Sequence, residues 1–134
     1  MHPEVEKLID HSFEYAQELL VDTKEFYPFG AFIDTIGNVH PLEFEFDAKN
    51  MPKVGAVLES LSKYCETEMS ENKMKGYALT FESIIKLDEN SKEKTCITLK
   101  IKHSEENDIP DFYQAFEINE AGEVDFEPVF GVKK

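Results

Sequence analysis

The stretch Ala31-Phe32-Ile33-Asp34-Thr35-Ile36-Gly37-Asn38-Val39-His40-Pro41-Leu42-Glu43-Phe44-Glu45-Phe46 decides the fold. Residues 31–36 and 39–46 read as the two strands of a hairpin around Gly37-Asn38. Leu42, Phe44 and Phe46 alternate with Glu43, Glu45 and Asp47, the period-2 pattern of a strand with one wet face. Pro41 lacks a ladder donor, which places the start of the second strand at an edge or bulge. The turn recurs near the C-terminus. Ile33-Asp34-Thr35-Ile36-Gly37-Asn38-Val39 aligns with Ile118-Asn119-Glu120-Ala121-Gly122-Glu123-Val124. Asp or Asn opens such a turn by accepting from the backbone just ahead, and Gly supplies the left-handed position. The flanks do not match, so this is one turn used twice and not a repeat fold.

Outward from the first hairpin, residues 3–22 read as an amphipathic helix. Pro3 suits the first turn, and Val5, Leu8, Ile9, Ser12 or Phe13, Ala16, Leu19 and Leu20 form one stripe. Residues 52–71 read as a second helix, with Asn50 as cap, Pro52 in the first turn, and Val54, Val57, Leu58, Leu61, Tyr64 or Cys65, and Met69 on one face. Strands are expected over 75–87, 94–103, 112–118 and 124–130. The order is α-β-β-α-β-β-β-β: an α+β domain with a mainly antiparallel sheet of five to six strands and both helices on one face. Helix, hairpin, helix and meander in that order resemble the profilin-like and roadblock-type sandwiches, a likeness that carries no function.

The 134 residues fit one domain, 1–134. Apolar residues at 41% exclude a disordered chain, and no run is long enough to cross a membrane. No basic leader precedes an apolar stretch, so a cytoplasmic protein is expected. Two thiols far apart, Cys65 and Cys96, read as reduced side chains.

Charge is the most distinctive property. Net charge is −14, and every basic residue is lysine. Arginine, the residue of bidentate phosphate recognition, is absent, and an acidic chain repels nucleic acid and anionic membranes. Acidity concentrates at the two ends. Residues 1–26 hold seven acids and two lysines, and residues 104–132 hold nine acids and no lysine.

Motifs for chemistry are missing. No GxGxxG, GxxxxGK[ST], GxSxG or HExxH occurs, and no EF-hand loop. Glu43 and Glu45 share a strand face and read as ordinary carboxylates. His2, His11, His40 and His103 are far apart, so each reads as a lone exposed histidine. No catalytic residue, metal or cofactor is assigned.

Two binding hypotheses remain. The first is a non-catalytic interaction module, immunity- or inhibitor-like, presenting Glu105, Glu106, Asp108 and Asp111 to a basic protein. The second is a small-ligand protein or enzyme with an aromatic pocket between helices and sheet, lined by Tyr27, Phe29, Tyr77 and Tyr113. A sheet covered on one side would leave Phe112, Phe116 or Phe126 exposed and favour a homodimer. The string Glu25-Phe26-Tyr27-Pro28-Phe29-Gly30-Ala31 following a first helix resembles a signature of small bacterial proteins without assigned activity. The resemblance implies a bacterial cytoplasmic protein and transfers no catalytic residue.

Overall fold

The computed structural model describes residues 1–43, 53–86, 89–90 and 92–133. The chain forms α1 (Pro3–Thr23), β1 (Phe29–Ile33), β2 (Val39–Leu42), α2 (Val54–Ser70), β3 (Gly76–Ile85), β4 (Lys94–His103), β5 (Asp111–Ile118), β6 (Val124–Phe126) and β7 (Phe130–Val132). All pairings are antiparallel, in the order β2-β1-β3-β4-β5-β6. The α+β class and the element order are those expected. The residues Phe44, Glu45, Phe46, Asp47, Asn50 and Pro52 lie outside the described residues.

The expected last strand, 124–130, is two short ones. β6 pairs with residues 116–118 of β5 and β7 with residues 111–113, so both line one edge of β5. Pro128, which cannot donate to a ladder, sits between them.

Both turns form as the sequence pattern requires. Asp34 Oδ1 accepts from the Ile36 and Asn38 amides at 3.0 and 2.9 Å, and Gly37 has φ +92°. Asn119 Oδ1 accepts from the Ala121 and Glu123 amides, each at 2.9 Å, and Gly122 has φ +84°. At such φ a side chain would be strained, which explains glycine at both positions.

The helices do not share a face of the sheet; this corrects the one-face expectation. α1 buries Val5, Leu8, Phe13, Ala16 and Leu20 against Phe29, Ala31, Ile33, Ala78, Ile97, Leu99 and Ile101. α2 buries Val57, Leu61 and Cys65 against Tyr77 and Leu79, with Phe32 packed beside them. Neighbouring residues of β1 and β3 thus enter opposite cores, as strand alternation demands. The centre of β4, Cys96–Leu99, is buried on both sides. Each fully buried Leu or Ile contributes about 1.5–3 kcal/mol. Phe116 is buried in the α1 core and Phe112 and Phe126 are half-buried against the same core, so the three rings do not form the exposed apolar face expected.

Gly76 opens β3 at a crowded point. A Cβ there would lie 2.8 Å from His103 Cδ2 and 2.8 Å from the Lys102 carbonyl. Only glycine lets the end of β4 lie this close to the start of β3.

Candidate functional site

Glu6, Asp10, Glu14, Glu18 and Asp22 follow one another at every fourth position of α1, and all five are exposed. At 1.5 Å rise per residue, the row runs about 24 Å along the helix. The two lysines of this region do not neutralise it. Lys7 Nζ donates to the Gly37 carbonyl at 3.3 Å, and Lys24 Nζ to the Val21 carbonyl at 2.6 Å. Among the described residues none of the five takes part in an ion pair. Like charges at i,i+4 oppose helix formation by about 0.2–0.5 kcal/mol per pair, so local stability does not explain the row.

The acidic C-terminal segment comes up beside the far end of this ridge. A methyl on Gly122 would lie 3.5 Å from Lys24 Cε, which puts the β5–β6 turn, with Glu120 and Glu123, next to the end of α1. Glu117 and Asp125 face each other directly across β5 and β6. Glu127, by contrast, is paired with Lys94 at 2.8 Å. The two acidic ends of the chain therefore meet on one side of the fold.

The four acids singled out from the sequence lie elsewhere. Glu105 Oε2 accepts from His2 Nε2 at 2.9 Å, and Glu106 Oε1 accepts from the His2 amide at 3.2 Å. Asp108 occupies a left-handed position with φ +59°, and Asp111 opens β5 half-buried. Glu105 and Glu106 are thus tied to the start of α1, with the Glu105 side chain still exposed.

The four aromatics do not converge. Phe29 lies in the α1 core, while Tyr27 and Tyr77 belong to the α2 side. Tyr113 stacks on Phe130 at 5.6 Å. The Tyr77 hydroxyl donates to Glu66 Oε1 at 2.6 Å; burial first, and then this carboxylate, pushes its pKa up. An apolar concavity of ≈ 360 Å³ opens instead between Ile85, Cys96, Ala115, Pro128, Val129 and Phe130.

Both cysteines are free and buried. Burial raises the Cys65 thiol to about 12 and pushes Cys96 upward too, the reverse of what a nucleophile needs.

The histidines supply what the sequence reading missed. His103 is buried and His2 half-buried, against the expectation of lone exposed rings. His2-Pro3-Glu4 and His103-Ser104-Glu105 are two copies of His-x-Glu that exchange partners. His2 Nδ1 accepts from the Glu4 amide at 3.1 Å and caps α1; His103 Nδ1 accepts from the Glu105 amide at 3.1 Å. His2 Nε2 faces Glu105 Oε2, and His103 Nε2 faces Glu4 Oε1 at 2.8 Å. The rings lie 4.3 Å apart. Burial acts to raise the Glu4 pKa, but the His103 hydrogen bond and the nearby Lys75 outweigh it and hold the carboxyl below its usual range.

Ligand atoms of His2, Glu4 and His103 lie within 4.8 Å of one another, a donor set that suits zinc by type. The tautomers oppose this use. Each Nδ1 accepts from a backbone N–H, so each ring proton sits on Nε2, the nitrogen turned to a carboxylate. Coordination through Nε2 would move the proton to Nδ1 and set it against an amide N–H, where ligating histidines normally find an acceptor. The cluster is complete as a hydrogen-bonded clasp.

No helix among the described residues is long and apolar enough to cross a membrane. No family model, curated protein or solved structure matches the chain.

Proposed function

We propose that the protein is a non-catalytic interaction module that docks a basic protein, in the manner of an inhibitor or immunity protein masking a cationic surface. The observation that carries this reading is the unneutralised row Glu6, Asp10, Glu14, Glu18 and Asp22, continued by the β5–β6 turn. A row of like charges that costs helix stability is accounted for when a cationic surface completes it. Such a surface also speeds encounter and makes binding sensitive to salt.

The test compares three proteins as bait for basic proteins from a bacterial extract at about 0.15 M salt, where screening is physiological. They are the native chain, a ridge variant (Glu14→Gln, Glu18→Gln, Asp22→Asn), and a control that loses as many charges elsewhere (Glu59→Gln, Glu71→Gln, Glu93→Gln). A stoichiometric partner held by the native chain and the control but not by the ridge variant supports the proposal. Equal retention by all three, or none by the native chain, contradicts it.

The ≈ 360 Å³ concavity favours a second reading, a small apolar ligand held beside Cys96 and Phe130. Saturable quenching or enhancement of an environment-sensitive apolar dye, removed by Ala115→Phe, would support it. An unchanged dye signal would count against it.

A further inference from the structure

We propose that the paired His-x-Glu segments are a proton-sensitive clasp, which fastens the start of α1 to the end of β4 when both imidazoles are neutral and opens when they are protonated. The geometry uses all four ring nitrogens. Each Nε2–H donates to the carboxylate of the other segment, and each Nδ1 accepts from the amide two residues on in its own. A neutral imidazole has one donor and one acceptor, and here both are used. Protonation converts the acceptor into a second donor and sets N–H against N–H.

Two carboxylates around the clasp oppose opening and two lysines favour it. Glu4 faces His103 from α1, and Glu105 faces His2 from the turn after β4. Both already accept through Nε2–H, so a positive ring strengthens bonds that exist while breaking bonds that have no substitute. Lys75, just before β3, lies 3.8 Å from Glu4 Oε2 and competes for that carboxylate. Lys133 lines a second, separate concavity together with His103, Glu106 and Asp108, and adds positive charge there. Lys102 is occupied on the opposite face by Glu66. The His103 side chain is 0% exposed, so a new donor there has no water to turn to. On His2, the lost acceptor is the side-chain cap of α1. Opening therefore releases the first turn of α1, and with it the Glu6 end of the acidic ridge, from the sheet. The inference stands on this hydrogen-bond pattern and not on the proposed docking function.

The test is a proton–nitrogen NMR titration of the full chain from about pH 8 to about pH 5, the range in which histidine changes charge. The Glu4 and Glu105 amides should shift at the same midpoint as the two imidazole Cε1 protons. Their exchange protection should fall roughly fivefold or more, the worth of one hydrogen bond, while the Ala78 and Leu99 amides stay put. In His2→Asn, whose side-chain oxygen caps without titrating, the Glu4 response should vanish and the Glu105 response remain. His2 is half-buried and belongs to neither hydrophobic core, so this variant does not depend on repacking one. Rings that titrate while the Glu4 and Glu105 amides do not move would overturn the proposal. So would rings that do not titrate before the protein unfolds, or a Glu4 response that persists in His2→Asn.

Discussion

Replacing Glu14 with lysine reverses the charge at the middle of the α1 ridge. Glu14 has Asp10 one turn before it and Glu18 one turn after, both exposed and unpaired among the described residues. The substitution removes two like-charge pairs and creates two opposite-charge pairs. At about 0.2–0.5 kcal/mol for each pair lost and each gained, the native state gains about 0.8–2 kcal/mol. Position 14 is mid-helix, so the helix dipole contributes little, and glutamate and lysine have nearly equal helix propensity. Unfolding entropy of about 2.1 cal/mol/K per residue turns this gain into a rise in Tm of roughly 3–7 °C for 134 residues. Thermal unfolding followed by circular dichroism at low salt measures it. Repeating the melt at about 1 M salt, where the Debye length is about 3 Å, should erase most of the gain. A Glu14→Lys protein no more stable than the native one at low salt would refute the picture of an uncompensated ridge. A gain untouched by salt would show that its origin is not electrostatic.

Three further outcomes are expected. Asp125→Asn relieves the direct opposition of Glu117 and Asp125 across β5 and β6, and denaturant midpoints should show a stabilisation of about 0.2–1 kcal/mol. The Glu66 pKa is lowered by its hydrogen bonds from Lys102 and Tyr77; its contribution is therefore present above the ordinary carboxylate range and lost as pH falls through the folded value, so the penalty of Glu66→Gln should be largest near neutrality and shrink in acid. With its thiol raised to about 12, native Cys65 should resist iodoacetamide near pH 8, where about one thiol in 10⁴ is ionised, and react once the chain is unfolded; rapid native alkylation would show that α2 does not hold it against β3.

The parts of the fold legible in the sequence were those set by short-range chemistry. The Asp34 and Asn119 turns depend on a side chain, a following amide and a glycine within five residues, all visible in one window. The α1 stripe is likewise local. The placement of α2 is not legible from β2, whose alternation with one wet face is not shared by β1 and β3. Phe29–Ile33 and Tyr77–Leu79 are apolar at successive positions, the mark of strands buried on both faces, and that signal points to helices on opposite sides. At the site, the acidic bias of both chain ends was legible, but their meeting beside Lys24 depends on the fold. Glu105 and Glu106 read as free acids because their partner, His2, lies about a hundred residues away. The doubled His-x-Glu was the available clue to that pairing, and histidine is not among the usual helix caps.

The docking claim is tested most directly by the salt dependence of affinity for the stoichiometric basic protein retained on the native bait. The dissociation constant is measured by titration calorimetry for the native chain and for the Glu14→Gln, Glu18→Gln, Asp22→Asn protein across a series of salt concentrations. Affinity should fall steeply with salt for the native chain, and the ridge variant should bind more weakly with a shallower slope. Equal affinities and equal slopes would contradict the assignment of the α1 ridge as the docking surface.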